Sequence, residues 1–219
     1  MNRKQIIPLF CGLLGCLCFG GGDWLMMYGN PVYHGKLMWL TEGTMQIAGW
    51  RYTLAMVLAF PGIILYGTAL FSLEQYIEGK KEKKIYCILN TYGLTPWIAL
   101  HLFYLLILYV FAWMNGNGYA DAALPVCEAA AEFWSWLPLL SEILMAPPFL
   151  YWFYLQIKGK TGFPKWMAFT NILIIYVIMY MIKSCLPKSA FQLGFTNGLM
   201  SESMFIWFVI MIVWLMKGR

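Results

Sequence analysis

Charged side chains are scarce in this sequence, and it has no polar stretch long enough to form a soluble domain. Only 11% of the 219 residues are Asp, Glu, Lys or Arg, whereas a soluble domain carries about 25%. Hydrophobic residues make up 61% of the chain, and its mean hydropathy is +0.65. The longest polar stretch is residues 74–84, and no Gly-rich phosphate-binding loop is present. This composition excludes a soluble enzyme and a pump with its own nucleotide-binding domain.

Histidine is also rare, with only His34 and His101 in the whole chain. A catalytic zinc ion takes three protein ligands, often two or more of them histidines, so we expect no metal or other cofactor. Two alternatives stay open. His101 and Glu142 with another carboxylate could hold a divalent cation. A Ser-His-acid triad could also form, since Ser141, Ser201 and Ser203 are available.

Six long apolar segments fill most of the chain. They cover residues 6–28, 45–71, 85–114, 138–157, 163–186 and 198–216. A bilayer core of about 30 Å needs about 20 helical residues, so each segment can cross it. The sequence therefore predicts an all-α fold, a polytopic transmembrane bundle of six helices with residues 1–219 in one domain.

The start of the fourth segment is ambiguous. Residues 122–157 favour helix throughout, and a helix of that length is too long for one upright crossing of the membrane. Residues 124–136 form either a separate helix at the membrane interface or the outer end of a kinked span, and we expect the kinked span. The first segment follows a basic N-terminus, as in a signal peptide. Its apolar run continues to residue 28, so we expect a retained helix.

The distribution of Lys and Arg predicts the orientation of the bundle. With both termini on the cytoplasmic side, eleven basic residues lie in cytoplasmic segments and three in outer segments. Basic residues near span ends favour the cytoplasmic side, so both termini are expected there, in the inner (cytoplasmic) membrane. The net charge of +5 then reflects topology, and the expected partners are membrane lipids and not nucleic acid. The oligomeric state stays open.

The ionisable residues at membrane depth all fall in the outer half of this topology. A charge in hydrocarbon costs about 3 kcal/mol or more unless it meets a cavity or a partner, so we predict a polar pocket open to the outer side. The predicted pocket residues are Asp23, Arg51, Trp97, His101, Tyr104, Glu142, Asn197 and Glu202, and the predicted mouth residues are Glu42, Glu128 and Glu132.

Alternative roles remain for several of these residues. Asp23 and Arg51 could be an ion pair that fastens two helices or part of a functional site. Glu128 and Glu132 could simply be solvated. At about 100° per residue, Glu128, Glu132 and Glu142 would share one helix face.

Three classes of function fit this pocket. The first is binding of a small molecule, lipid or cation, extending to a small transporter. The second is an intramembrane enzyme that acts on a lipid, with His101, Glu142 or Glu202 as the catalytic acid or base. The third is a structural or regulatory subunit.

Two short segments carry a family resemblance. Residues 21–25 (GGDWL) and residues 194–202 (GFTNGLMSE) resemble segments of an uncharacterised family of bacterial multi-pass membrane proteins. The resemblance implies a six-helix integral membrane fold and a bacterial source, and it implies no particular activity.

Six cysteines complete the set of candidate residues. Cys11, Cys16, Cys18 and Cys87 are expected to be reduced packing residues. Cys127 and Cys185 fall at the outer ends of the fourth and fifth spans, where a disulfide would face the oxidising side. Whether these two cysteines pair is left open.

Overall fold

The protein is all-helical in the part of the chain that the structure describes. This computed structural model describes residues 3–32, 35–37 and 39–217, and no β-strand occurs among them. The helices are α1 (Arg3–Met27), α2 (Glu42–Met45), α3 (Gly49–Ser72), α4 (Lys80–Gly116), α5 (Ala120–Phe133), α6 (Trp136–Ile157), α7 (Ile172–Cys185) and α8 (Ala190–Lys217). Two 3₁₀ helices, Leu73–Tyr76 and Lys165–Thr170, precede α4 and α7.

Four of these helices are long and apolar enough to cross a membrane. The qualifying segments are Ile6–Met27, Gly49–Tyr76, Lys80–Gly116 and Ala190–Lys217. Large apolar side chains such as Leu17, Ile64 and Leu106 point outward and are 60% or more exposed. An outward apolar surface on long helices is what lipid contact requires, so the chain is a membrane protein.

Helix α1 packs mainly against α3 and α8. Glycines permit this close packing. A Cβ on Gly15 would lie only 3.0 Å from the backbone nitrogen of Tyr66, and one on Gly62 would lie 2.8 Å from the Phe19 ring. Such small residues let backbones approach closely, as is usual between membrane helices.

Two loops meet at one end of the bundle, which we call the Lys160 end. The Glu78 N–H donates to the Lys160 carbonyl (2.8 Å), and the Gly162 N–H donates to the Tyr76 carbonyl (2.7 Å). The Lys160 side chain also forms an ion pair with Glu82, and this hydrogen bond raises the pKa of Lys160 above its usual value. The loop between α3 and α4 therefore lies beside the loop after α6.

We call the opposite end the Trp39 end, after the segment between α1 and α3. Helix α6 has 22 residues and rises about 33 Å, enough to run from the Trp39 end to the Lys160 end. The chain then returns through the 3₁₀ helix Lys165–Thr170 and α7 to the start of α8.

The fourth predicted span differs from the structure at its outer end. The chain turns at Trp134 and Ser135, so α5 and α6 are two helices and not one kinked span. Helix α5 buries Ala123, Cys127 and Ala131 and packs on α4. Small residues on one face let α5 lie against α4, which favours a turn over a straight continuation.

The fifth predicted span, residues 163–186, is also divided. Asn171 ends the 3₁₀ helix and caps α7, because its side-chain oxygen accepts from the Leu173 N–H (3.0 Å). Its amide nitrogen donates to the Phe149 carbonyl of α6 (3.0 Å). Helix α7 itself has only 14 residues.

The last helix is longer than predicted, and the cysteines are unpaired. Helix α8 starts at Ala190, eight residues before the predicted start at residue 198. All six cysteines lie in the described part of the chain and are free. Cys127 is buried, with its thiol 3.7 Å from the Ile107 carbonyl oxygen, while Cys185 is exposed.

Candidate functional site

An aspartate and a histidine pair inside the bundle. Asp23 lies near the end of α1 and His101 lies in α4, and their Oδ1 and Nδ1 atoms are 3.2 Å apart. The His101 side chain is only 3% exposed and that of Asp23 is 16% exposed. In a neutral imidazole, a carboxylate beside Nδ1 favours the ring proton on Nδ1 and the lone pair on Nε2. Nε2 is buried and has no hydrogen-bond partner among the described residues.

Gly22 of α1 lies beside this pair and packs closely on α3. A Cβ on Gly22 would lie 3.5 Å from Cε1 of His101 and 3.3 Å from the Ala55 carbonyl oxygen of α3. The Phe19 ring, one turn below Asp23, packs edge-on against the imidazole, with ring centroids 4.7 Å apart. The imidazole is therefore held by the Asp23 carboxyl group on one side and by an aromatic ring on another.

A cavity of about 170 Å³ adjoins the Asp23–His101 pair, and we call it the dyad cavity. Its walls are mostly aromatic rings and methionines. The lining residues are Phe19, Asp23, Met26, Met27, Trp39, Trp97, Leu100, His101, Tyr104, Leu108, Met145, Asn197, Met200 and Ser201. Such walls with a few polar groups are typical of sites for small molecules.

The polar groups of the dyad cavity include both donors and acceptors, because Trp39, Trp97 and Tyr104 carry N–H or O–H groups. Asp23 and His101 bring their carboxyl and imidazole groups to the cavity wall. Asn197 donates its amide N–H to the Leu193 carbonyl (2.8 Å), so its oxygen stays available as an acceptor. Ser201 can donate or accept. The acceptors in this set suit a ligand that carries a hydroxyl or amino group.

The two segments that resemble a known family pack directly on each other. The Trp24 indole lies over Gly194 and Gly198, where a Cβ would come within 2.5 and 2.9 Å of indole atoms. Its Nε1–H donates to Oε1 of Glu202 (2.9 Å). Residues 21–25 and 194–202 therefore form one contact between α1 and α8. They supply Asp23, Asn197 and Ser201 to the dyad cavity.

A second, larger cavity of about 510 Å³ lies along α1 and α8, and we call it the α1–α8 groove. Its lining is almost entirely apolar and includes Leu17, Phe195 and Ile206. Glu202 is its charged residue, and Ser201 borders both cavities. These two cavities beside α1 thus differ in their chemistry.

Five predicted pocket residues line the dyad cavity together: Asp23, Trp97, His101, Tyr104 and Asn197. Three others, Arg51, Glu142 and Glu202, do not line it. Glu202 lies in the α1–α8 groove and bonds to Trp24, as described above.

Arg51 does not pair with Asp23, so the alternative of an Asp23–Arg51 ion pair is not the one found. Its guanidinium donates to the Tyr28 carbonyl (3.0 Å) and lies 3.5 Å from the Trp24 carbonyl oxygen. The last carbonyls of a helix carry partial negative charge, and the Trp24 carbonyl also accepts from the Tyr28 backbone N–H (2.9 Å). Arg51, near the start of α3, stabilises that helix end, while His101 takes the place beside Asp23.

Glu142 is exposed and does not line the dyad cavity. Ser141 and Met145 turn toward the bundle on this part of α6, and Glu142 lies about 100° round the helix from Ser141. The turn at Trp134 and Ser135 also breaks the helix face that Glu142 was expected to share with Glu128 and Glu132.

The predicted mouth residues lie at the Trp39 end. Glu42 begins α2 and accepts a hydrogen bond from the Asn30 side chain (2.9 Å). Glu128 of α5 accepts from the Lys36 backbone N–H (2.6 Å). Glu132 is exposed. Glu42 and Glu128 thus form hydrogen bonds to the segment between α1 and α3 and hold it in place.

Sequence reasoning missed most of the apolar lining of the dyad cavity. Met26, Met27, Met145 and Met200 carry no signal that separates a cavity wall from ordinary core packing. Trp39 lies in the segment between α1 and α3, and its ring packs edge-on against Tyr104 with centroids 5.2 Å apart. Its place at the cavity depends on how that segment folds back.

The hypothesis of a divalent cation finds no support in the described residues. None of them forms a group of three or more His, Cys, Asp or Glu side chains that could hold a metal ion. His34, the other histidine, lies outside the described residues. Glu142 is separate from the Asp23–His101 pair in the structure.

The comparisons with known proteins concern the family alone. No curated protein and no solved structure matches the chain. The model of a family of unknown function, DUF6796, matches residues 1–218, which is nearly the whole chain. This confirms the resemblance to an uncharacterised family. The chain therefore belongs to the DUF6796 family of unknown function.

Proposed function

We propose that this protein crosses the inner membrane six times, with both termini in the cytoplasm. The hydrogen bonds between residues 76–78 and residues 160–162 support six crossings, because α6 and α7 must then connect opposite ends of the bundle. The Lys160 end carries most of the basic residues, which favours the cytoplasmic side for it. The Trp39 end and the dyad cavity then belong to the outer half of the membrane.

In this orientation the dyad cavity binds a small amphipathic molecule that carries a hydroxyl or amino group. One observation carries the proposal: Nε2 of His101 is buried beside a cavity and unpartnered in the described chain, while Asp23 holds Nδ1. An unpaired buried acceptor costs about 1–3 kcal/mol, and a ligand that donates to it recovers that energy. The aromatic and methionine walls cover the apolar part of the ligand.

A transport role would extend this binding function. Asp23 and His101 can exchange a proton with a bound ligand or with water, which would couple binding to the proton gradient. Transport also requires a path to the Lys160 end. Buried Asn90 and Gln156 supply polar atoms on that side of the bundle, and Trp97 and Tyr66 pack edge-on between the two regions.

Binding is tested with a photoreactive analogue of octan-1-ol that carries a diazirine. The protein in proteoliposomes is irradiated with this probe, and the modified peptides are mapped by mass spectrometry. We expect adducts on the cavity residues Met27, Met145 and Met200. Excess octan-1-ol should suppress these adducts.

The variant Met200→Trp fills the dyad cavity and should remove the adducts on Met27 and Met145. The matched control is Met181→Trp on α7, where the methionine is 64% exposed and lines neither cavity. Asp23→Asn keeps the size of the side chain and should weaken labelling about tenfold, the effect of losing one charge-assisted hydrogen bond. The proposal would be refuted if the adducts were spread over lipid-facing residues and were the same in the wild type and in Met200→Trp.

An intramembrane enzyme is the second candidate, and the same pair favours it. A carboxylate that orients a histidine with a free Nε2 is the arrangement of a general base, and the Ser201 hydroxyl borders the same cavity. The test is the lipid composition of proteoliposomes made from bacterial polar lipids, followed by mass spectrometry. An enzyme would convert one lipid class over time, and His101→Gln would slow conversion at least about 100-fold. Unchanged lipids would leave binding as the function.

A further inference from the structure

The α1–α8 groove differs from the dyad cavity in shape, lining and charge. Its volume is about 510 Å³, and its walls come from Leu17, Gly21 and Trp24 of α1 and from Phe195, Glu202 and Ile206 of α8. Leu17 is 60% exposed, so the groove borders the surface that faces lipid. A molecule already in the membrane can reach it sideways.

The groove has one polar end. Oε1 of Glu202 accepts the hydrogen bond from Trp24, which fixes the carboxylate in place. Oε2 is buried and has no hydrogen-bond partner among the described residues. A fixed carboxylate with one free oxygen favours a cationic donor, because hydrogen bonds between ionised groups are roughly twice as strong as neutral ones.

The direction of the groove matches that of a lipid in the outer leaflet. Trp24 lies three residues, or about 4.5 Å, before the end of α1 at the Trp39 end. Leu17 lies a further seven residues, or about 10 Å, toward the middle of the bundle. The carboxylate is therefore near the outer surface in the proposed orientation, and the apolar part runs inward as an acyl chain does.

We propose that the groove binds a phospholipid with an ammonium headgroup, of the phosphatidylethanolamine class. Its ammonium group donates to Oε2 of Glu202, and one acyl chain lies along Leu17, Gly21 and Ile206. Phosphatidylglycerol lacks the ammonium group and meets the negative charge of Glu202, so it binds more weakly. The site is separate from the dyad cavity, and only the assignment to the outer leaflet rests on the proposed orientation.

Gly21 provides a direct way to fill the groove. A Cβ at this position meets no heavy atom within 4 Å, so a larger side chain enters open space without displacing the bundle. Gly116, at the end of α4, has the same open surroundings and lines neither cavity. Gly21→Leu and Gly116→Leu are thus a matched pair of variants.

The experiment is native mass spectrometry of the purified protein in detergent with equal concentrations of dioleoyl phosphatidylethanolamine and dioleoyl phosphatidylglycerol. The wild type should retain about ten times more of the ethanolamine lipid, and Gly116→Leu should do the same. Gly21→Leu should lose the bound lipid. Glu202→Gln keeps the bond from Trp24 and should retain both lipids equally. Thermal unfolding of each variant checks that it is folded.

Three results would overturn the lipid site. The wild type could retain both lipids equally, Gly21→Leu could retain as much lipid as Gly116→Leu, or Glu202→Gln could keep the full preference. Met200→Trp distinguishes this proposal from the function of the dyad cavity, because it should leave lipid retention unchanged. Loss of the lipid in Met200→Trp would place it in the dyad cavity and contradict the groove.

Discussion

The contact between Asp23 and His101 is the interaction that organises the candidate site. Both side chains are largely withdrawn from solvent, and each lacks another described ionic partner in the cavity. Removing either one leaves a buried polar group unpaired, which is costly. The two residues should therefore contribute to stability as a unit.

A double-mutant cycle tests this coupling. We expect Asp23→Ala and His101→Ala each to lower the free energy of unfolding, and the double variant to lose less than their sum. The coupling should be about 0.5–3 kcal/mol, as found for residues in one hydrogen-bond network. The measurement is reversible unfolding in mixed micelles. Strictly additive losses would show that the pair does not interact in the membrane protein.

The sequence identified the members of this site better than their partners. Asp23 and His101 stand out because ionisable residues inside apolar segments need a cavity or a partner. Which two residues meet depends on the rotation and depth of separate helices, which one sequence does not specify. The same uncertainty explains Arg51, which bonds to the end of α1, and Glu142, which is exposed.

Trp24 of α1 packs against Gly194 and Gly198 of α8, and this contact joins the two helices. A Cβ on Gly194 would lie 2.5 Å from the indole ring, so even alanine overpacks this contact. Gly67 of α3 is the matched control, because its Cβ would meet only Leu94 at an ordinary 3.5 Å. Both glycines lie inside helices that span the bundle.

We expect Gly194→Ala to lower the free energy of unfolding by about 1–3 kcal/mol, the usual cost of overpacking. Gly67→Ala should be neutral or stabilising by about 0.4–1 kcal/mol, because it reduces the entropy of the unfolded chain. Thermal unfolding in detergent measures both variants. If both substitutions changed the free energy of unfolding equally, the close packing of Trp24 on Gly194 would be contradicted.

Among the elements, the longest apolar segments were predicted best. Helices α1, α3 and α4 differ from their predicted spans by a few residues at each end. The fourth and fifth segments were predicted less well, because their breaks come from tertiary contacts. The turn at Trp134 lets α5 pack on α4, and the Asn171 side chain forms a hydrogen bond to α6. Neither contact has a local sequence signal.

At the scale of the whole molecule, the orientation of the bundle is open to a labelling experiment. Single cysteines are placed at Gly162, in the loop at the Lys160 end, and at Asn117, at the Trp39 end, in a chain whose own cysteines are replaced. Both positions are exposed. In intact cells, a maleimide that cannot cross membranes should label Asn117→Cys and not Gly162→Cys.

After the cells are opened, both variants should react equally, which controls for access to the thiols. Labelling of Gly162→Cys in intact cells would contradict the six-span topology with cytoplasmic termini. It would also move the dyad cavity and the α1–α8 groove to the opposite half of the membrane.

The binding role of His101 has the most direct test in ¹⁵N NMR of the histidine-labelled protein in lipid nanodiscs. The variant His34→Gln leaves His101 as the only histidine, so its two nitrogens can be assigned. Our account predicts a protonated Nδ1, an unprotonated Nε2, and a shift of the Nε2 resonance when octan-1-ol is added. Met200→Trp should abolish that shift. A protonated Nε2 in the wild type, or an equal shift in Met200→Trp, would contradict a ligand site at the Asp23–His101 pair.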